Sequence, residues 1–192
     1  TLFPYTTLFR SQAVSAVLDT SLITLCSSAL SNAGMKIPEG VLSRFVASLL
    51  VKRFVILAGL SGSGKTKLAI AFAEWIKEFD EQLKVVSVGA DWNGTESVFG
   101  YRDALDPNRF VKPVSGILDI VIKAEDDPSR PYFLILDEMN LSHVERYFSD
   151  FLSAMESDCE INLHTAEDAL DGVPPSIELP KNLFIIGTVN VD

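Results

Sequence analysis

Residues 59–66 have the sequence Gly-Leu-Ser-Gly-Ser-Gly-Lys-Thr, and this stretch decides the fold of the chain. It fits the pattern G-x-x-x-x-G-K-[ST], in which glycines let the backbone turn tightly and aim its N–H groups at phosphate oxygens. An apolar run at 54–58, typical of a buried strand, leads into it. Apolar residues at helical spacing follow, and they are Leu68, Phe72, Trp75, Ile76 and Phe79. A strand, a glycine-rich loop and a helix in this order predict a phosphate-binding loop.

The loop supplies the candidate ligand-binding residues, which are Gly59, Leu60, Ser61, Gly62, Ser63, Gly64, Lys65 and Thr66. Lys65 would reach the β- and γ-phosphates of a nucleotide, and the Thr66 hydroxyl would bind Mg²⁺. The N-terminus of the following helix adds unpaired N–H donors and the positive end of its dipole. A Gly/Ser-rich turn without a ligand is the alternative, and the flanking strand and helix argue against it.

Two carboxylates follow another apolar run, in the stretch Leu-Ile-Leu-Asp-Glu at 134–138. Ligands of open parallel sheets bind at the carboxyl ends of the strands, so this pair is expected beside the phosphate loop. Asp137 would hold Mg²⁺, and Glu138 would polarise the water that attacks the phosphate. The alternative for an acidic residue after a strand is to cap the next helix.

A third polar group stands at the end of the apolar run 183–190, where Thr188 and Asn190 follow Leu-Phe-Ile-Ile-Gly. A side-chain amide at this point could orient the nucleophilic water or contact the γ-phosphate. A turn residue or a helix cap is the alternative. The residues alone leave both interpretations of Asn190 open.

Apolar strands and amphipathic helices alternate along the chain, which predicts an α/β fold with a mainly parallel sheet flanked by helices. Further strands are predicted at 85–88 and 132–136, helices at 117–124 and 141–155, and a hairpin that joins 160–164 to 176–179. A helical lead-in is expected over 12–52, with a helix stop at Asn32-Ala33-Gly34 and a helix start at Pro38.

Both ends of the sequence carry expectations of their own. Residues 1–11 match the translation of a common sequencing-library adapter, so we expect an assembly artefact there and exclude it from fold reasoning. The nucleotide-binding core is expected over 53–192 and is expected to be incomplete at its C-terminus, because the sequence stops directly after a strand-like run.

The composition is that of an ordinary globular chain of 192 residues, with 47% hydrophobic and 22% charged residues. A formal net charge of −10 argues against broad electrostatic binding to nucleic acid, though not against a local basic groove. The two cysteines, Cys26 and Cys159, form no disulfide framework and no Cys-x-x-Cys motif, which favours a reducing, cytoplasmic location. Apolar runs are too short for a membrane span, so no membrane association is expected.

The order of phosphate loop, Asp-Glu pair and strand-end Asn resembles the AAA+ class of P-loop NTPases. Within that class the chain looks most like the McrB-type branch, the motor subunits of modification-dependent DNA restriction systems. The resemblance rests on GLSGSGKT at 59–66, on LDEMN at 136–140 with the run LSHVERYFSDFLSAME, and on FIIGTVN at 184–190. It covers residues 54–192, and the dynein/midasin and MoxR groups are close relatives.

The resemblance implies phosphate binding for Lys65, Mg²⁺ binding for Thr66 and Asp137, and catalysis for Glu138 and Asn190. It further implies hydrolysis of ATP by a ring, commonly a hexamer, whose sites lie at subunit boundaries. A McrC-like nuclease subunit would be the partner, and DNA would be engaged indirectly. A MoxR- or midasin-like protein-remodelling ATPase and a non-hydrolysing nucleotide switch are the alternative functions, and the presence of Glu138 argues against the switch.

The sequence departs from the McrB pattern at the last strand. McrB uses GTP and carries Met-Asn-x-x-Asp there, whereas this chain has Val189-Asn190-Val191-Asp192, so ATP is favoured and GTP is the alternative. By the same resemblance, residues 53–192 lack the fifth core strand, the arginine finger and the helical lid. A protein that ended at Asp192 would therefore be expected to bind nucleotide weakly and hydrolyse it poorly.

Two segments, 98–113 and 160–179, would line the pore of such a ring. Aromatic side chains in and beside the first segment could stack on bases or pack in the core, and they are Trp92, Phe99, Tyr101 and Phe110. Residues 147–180 carry acidic side chains but no Lys or Arg, which fits a docking face for a basic partner or, more simply, a solvated hairpin. His143 and His164 lack a metal-ligand partner at a useful spacing, so exposed or capping roles are expected for both.

Overall fold

The computed structural model describes residues 20–191, which form helices and strands of the α/β type. In chain order the elements are α1 (Thr20–Asn32), α2 (Glu39–Val51), β1 (Phe54–Gly59), α3 (Lys65–Ile76), β2 (Leu83–Ser87), α4 (Glu96–Phe99), β3 (Tyr101–Arg102), β4 (Phe110–Val111), α5 (Ile117–Asp126), β5 (Tyr132–Asp137), α6 (Val144–Tyr147), α7 (Ser149–Ser157), β6 (Ile161–Asn162), β7 (Ser176–Ile177) and β8 (Leu183–Asn190). The predicted adapter-derived segment 1–11 and the first part of the predicted lead-in lie outside the described residues.

Four of these strands form one parallel sheet in the order β1-β8-β5-β2. The register pairs Gly59 with Asn190, Gly187 with Leu136, and Asp137 with Ser87. All four strands therefore end at the same rim, where the phosphate loop leaves β1 and the acidic pair follows β5. The sequence prediction of an α/β fold with a parallel sheet flanked by helices is confirmed.

Helices cover both faces of the sheet. Phe133 and Ile135 of β5 pack with α1, α2 and α3, whereas the alternate residues Leu134 and Leu136 pack with α5 and α7. Burial on both faces explains why β5 and β8 are continuous apolar runs rather than alternating ones. In residues 20–191, no helix has the length and apolar character that crossing a bilayer requires.

The helix predicted over 141–155 is wrong as a single element. A 3-10 turn at Met139–Leu141, the short helix α6 and helix α7 take its place, and Leu141 is exposed. The interruption has a local cause, because Ser142 adopts an extended conformation and its hydroxyl donates to the Trp92 carbonyl oxygen at 2.6 Å. Such side-chain to backbone bonds compete with helix formation.

Contrary to the prediction from its helical spacing, Phe79 does not extend the apolar face of α3. The helix ends at Ile76, and Phe79 is 53% exposed with the Arg130 guanidinium 5.1 Å from the centre of its ring. The buried amide of Gln82 accepts the backbone N–H groups of Glu78 and Phe79, both at 2.8 Å, and so ends the helix in a turn.

Two short antiparallel hairpins, β3–β4 and β6–β7, lie beside the sheet, and the second is the hairpin that the sequence predicts. Phe99 and Phe110 are buried in the core, which decides for packing over base stacking at these two positions, whereas Tyr101 is half exposed. The His164 ring packs against Phe110, and its Nε2 lies 2.9 Å from the Val173 carbonyl oxygen.

Asn182, buried directly before β8, joins the end of α5 to the sheet. Its Nδ2 lies 2.9 Å from the carbonyl oxygens of Ala124 and Asp127 and 2.8 Å from that of Arg130. We expect Asn182→Ala to lower the free energy of unfolding by about 2 kcal/mol, because these carbonyls lose their donor. Urea denaturation measures the change. The exposed Asn162→Ala is the control, and equal effects of the two substitutions would contradict the prediction.

The two cysteines differ sharply in environment. Cys26 on α1 is fully buried, and burial raises the pKa of its thiol to about 12, whereas Cys159 is exposed. Since the thiolate is the reactive form, we expect a disulfide reagent at pH 8 to modify one thiol in the folded chain and two in denaturant. Cys159→Ser should remove the fast-reacting thiol. Two fast thiols in the folded wild-type chain would refute this assignment.

Candidate nucleotide-binding site

The phosphate loop is shaped by two glycines in left-handed conformations. Gly62 has a φ of 72° and Gly64 a φ of 85°, which residues with a Cβ rarely adopt. Gly64 is also the N-cap of α3 and offers no side chain to its first turn. The N-terminus of this 12-residue helix therefore faces the loop as a site suited to an anion.

The Lys65 ammonium lies within the loop. Its Nζ donates to the carbonyl oxygens of Gly59 at 2.9 Å and Leu60 at 2.7 Å, and it lies 3.4 Å from the Ser63 hydroxyl. Leu60 thus takes part through its backbone, while its side chain is exposed, as is Ser61. The loop holds a cation in the concavity that a phosphate group would approach.

Asp137, the last residue of β5, joins the loop to the acidic pair. Its Oδ1 accepts a hydrogen bond from the Thr66 hydroxyl at 2.5 Å and another from the Thr188 hydroxyl at 2.8 Å. The adjoining hydroxyl and carboxylate oxygens of Thr66 and Asp137 form the hard, oxygen-only donor set that Mg²⁺ prefers. The two candidate metal ligands named from the sequence are in direct contact, so the residues present fit the ion.

Glu138 turns the chain sharply at the end of β5. Its φ of 53° and ψ of 47° are left-handed, and its N–H donates to the Thr188 hydroxyl at 3.0 Å instead of continuing the strand. The turn leaves the Glu138 side chain exposed, with Oε1 3.2 Å from Nδ2 of Asn190. The candidate base and the candidate sensor amide are therefore hydrogen-bonded to each other.

The turn that carries Glu138 is held in place by contacts with the buried Tyr147. The Tyr147 hydroxyl donates to the Met139 carbonyl oxygen at 2.8 Å, and the Tyr147 ring packs edge-on against Trp92 with the ring centres 5.3 Å apart. Burial raises the pKa of Tyr147 above its ordinary value, so the phenol remains a neutral donor. The segment after Glu138 is thus anchored to the core within a few residues.

Sequence reasoning assigned no role to two residues of this site. Thr188 is 2% exposed, and its hydroxyl bridges Asp137 and the backbone of Glu138. A signal for it existed, because a threonine two residues before Asn190 points to the same face of the strand. Asn140 contacts the backbone of Asn190, and no spacing rule indicates that contact because it joins a 3-10 turn to a residue 50 positions further along the chain.

Known proteins resemble the chain in sequence and in structure. No protein-family model matches it. A curated relative, the type IV methyl-directed restriction enzyme EcoKMcrB subunit of Escherichia coli K12, is 24% identical over 159 residues, which cover 80% of this chain and 34% of the relative. A closed-state cryo-EM reconstruction of Hsp104 with ATPγS and FITC-casein superposes with a TM-score of 0.54 at 18% identity, over 92% of this chain and 29% of that one.

The chain spans about a third of the length of the curated relative it matches, as the 34% coverage shows. The Hsp104 likeness concerns the fold, and the EcoKMcrB likeness concerns the sequence. The chain is thus similar to the Hsp104 structure in fold and to the EcoKMcrB subunit in sequence, in agreement with the AAA+ P-loop NTPase core that its motifs predict.

Proposed function

We propose that this chain binds a nucleoside triphosphate together with Mg²⁺ and hydrolyses it. The observation that carries the proposal is the 2.5 Å contact between the Thr66 hydroxyl and Asp137, because it joins the phosphate loop and the acidic pair in one cleft. A loop alone would support nucleotide binding. The loop together with a carboxylate pair supports hydrolysis as well.

The loop would hold the triphosphate through the backbone N–H groups around Gly62 and Gly64 and through Lys65. The Lys65 ammonium would exchange carbonyl oxygens of its own loop for phosphate oxygens, which are anionic and therefore stronger acceptors. The same charge stabilises the oxygens that gain negative charge as the terminal phosphate leaves.

Thr66 and Asp137 would hold the magnesium ion, which when bound neutralises phosphate charge. Thr188 keeps Asp137 oriented, because its hydroxyl donates to the same carboxylate oxygen that Thr66 contacts. The two hydroxyl donors hold this oxygen of Asp137 beside the loop. The metal ligands are in this way preorganised by residues of α3, β5 and β8.

Glu138 would act as the general base. Its carboxylate would take a proton from water as the water oxygen bonds to the terminal phosphorus and the bond to the bridging oxygen breaks. Asn190 donates to Oε1 of Glu138 at 3.2 Å, and this amide would orient the carboxylate and the attacking water. The base and its orienting group come from neighbouring strands, β5 and β8.

We further propose that the nucleotide is ATP and that the chain works in a ring as the motor of a McrBC-like restriction system. The likeness to the EcoKMcrB subunit supports this assignment. A McrC-like nuclease would be the partner, and DNA would be engaged indirectly, because a net charge of −10 disfavours direct binding of a polyanion. The reducing cytoplasm suits a chain whose cysteines, Cys26 and Cys159, are unpaired.

Replacing the base should separate binding from hydrolysis. In the full-length protein we expect Glu138→Gln to slow phosphate release about 100-fold or more, because the proton acceptor is lost. Binding of a fluorescent ATP analogue should persist and should require Mg²⁺. The exposed Glu156→Gln on α7 serves as the matched control. An unchanged rate of phosphate release in Glu138→Gln would reject the assigned role.

Whether DNA or an unfolded protein stimulates hydrolysis tests the proposal that the chain belongs to a DNA restriction system. We expect methylated DNA, in the presence of the partner nuclease, to raise ATP turnover of the full-length protein several-fold over unmethylated DNA. ATP and GTP are compared in the same phosphate-release assay, with Glu138→Gln as the blank. Stimulation by an unfolded protein such as casein instead of DNA would replace the restriction role by a protein-remodelling one.

A further inference from the structure

Asn140 pairs with the backbone of Asn190 through two hydrogen bonds. Its Nδ2 donates to the Asn190 carbonyl oxygen at 3.0 Å, and the Asn190 N–H donates to its Oδ1 at 3.3 Å. The Asn140 amide thus gives the Asn190 backbone one acceptor and one donor, as a neighbouring strand would in a β-sheet.

The need for this pairing follows from the sheet register. On one side β1 accompanies β8 to its end, where Gly59 pairs with Asn190 and accepts the Val191 N–H at 3.3 Å. On the other side the ladder between β5 and β8 ends at Leu136 and Gly187. Successive residues of a strand direct their N–H and C=O groups to opposite sides of the strand. The N–H and C=O groups of Asn190 therefore point away from β1, toward the side where β5 has already ended.

Asn140 provides the missing hydrogen-bond partner for Asn190, and it belongs to the same turn as the candidate base Glu138. Glu138, in its left-handed conformation, ends β5, and the 3-10 turn Met139–Leu141 brings Asn140 within hydrogen-bond distance of Asn190 at the end of β8. Buried Met139, held by the Tyr147 hydroxyl at 2.8 Å, fixes this turn. Met139, the residue directly before Asn140, is therefore anchored to the core.

We propose that Asn140 is a positioning residue for hydrolysis, an inference that rests on the proposed nucleotide hydrolysis. By pairing with the Asn190 backbone, it holds the last residue of β8 extended, and the Asn190 Nδ2 then faces the Glu138 Oε1 at 3.2 Å. Asn140 acts through Asn190. Glu138 and Asn140 are two residues apart in the same turn. Their relative position is therefore set by the backbone of that turn.

Because these residues lie at the exposed rim of the sheet, a substitution of Asn140 should change the orientation of Asn190 without changing the stability of the fold. Asn140 and Glu138 are exposed, and Asn190 is partly exposed. Water can replace the two amide contacts when Asn140 is removed, so folding should change little. The freed end of β8 would sample other conformations, and small displacements of an orienting group are costly in rate.

The test is a double-mutant cycle in the full-length protein. We expect Asn140→Ala to lower kcat for ATP about 10- to 100-fold, with the Kd for a fluorescent ATP analogue and the Tm unchanged. Asn140→Asp has nearly the same shape but sets a carboxylate oxygen against the Asn190 carbonyl, so it should be slowed as well. The double variant Asn140→Ala/Asn190→Ala should be no slower than Asn190→Ala alone. The exposed Asn162→Ala should retain the wild-type kcat.

Each other outcome is decisive. A wild-type rate in Asn140→Ala, or additive effects of the Asn140 and Asn190 substitutions, would overturn the inference while leaving the proposed hydrolysis intact. A parallel loss of Kd and Tm would make Asn140 merely structural. A wild-type protein that turns over no nucleoside triphosphate, with or without DNA, would overturn the proposed function and this inference with it.

Discussion

A single carboxylate oxygen connects the parts of the candidate site. Oδ1 of Asp137 accepts hydrogen bonds from the hydroxyls of Thr66 at 2.5 Å and Thr188 at 2.8 Å. In the sheet, β8 lies between β1 and β5, so the phosphate loop and the acidic pair start two strands apart, a gap of roughly 10 Å. Thr66, on the first turn of α3, crosses this gap, and Thr188 supports the contact from the intervening strand.

The intervening strand also explains how polar groups are accommodated at the end of an apolar core. Burying a hydroxyl costs free energy unless it is hydrogen-bonded. The Thr188 hydroxyl is satisfied in both senses, because it donates to Asp137 and accepts the Glu138 N–H at 3.0 Å. The same hydroxyl thereby holds the backbone of the candidate base in place, so the stability of the rim and the geometry of the site depend on the same bonds.

Much of the fold and of the candidate site could be predicted because strong local patterns carry them. The loop at 59–66 is defined by glycines between a strand and a helix, and the end of β5 is defined by an apolar run that stops at two carboxylates. What could not be predicted depends on contacts between distant segments. Ser142 bonds to the Trp92 carbonyl and breaks a periodic helix pattern, and Asn140 meets Asn190 only after the sheet has formed.

The left-handed conformation of Glu138 is best explained by the position of its side chain. The other non-glycine residues with positive φ between 20 and 191 are Asp158 and Asp171, of a type that tolerates this region better than glutamate does. Glycine at 138 would relieve a strain of about 1–3 kcal/mol. It would also remove the carboxylate that Asn190 contacts. Under the proposed function, the chain retains a strained residue at this turn because the left-handed conformation brings the base within reach of the amide on β8.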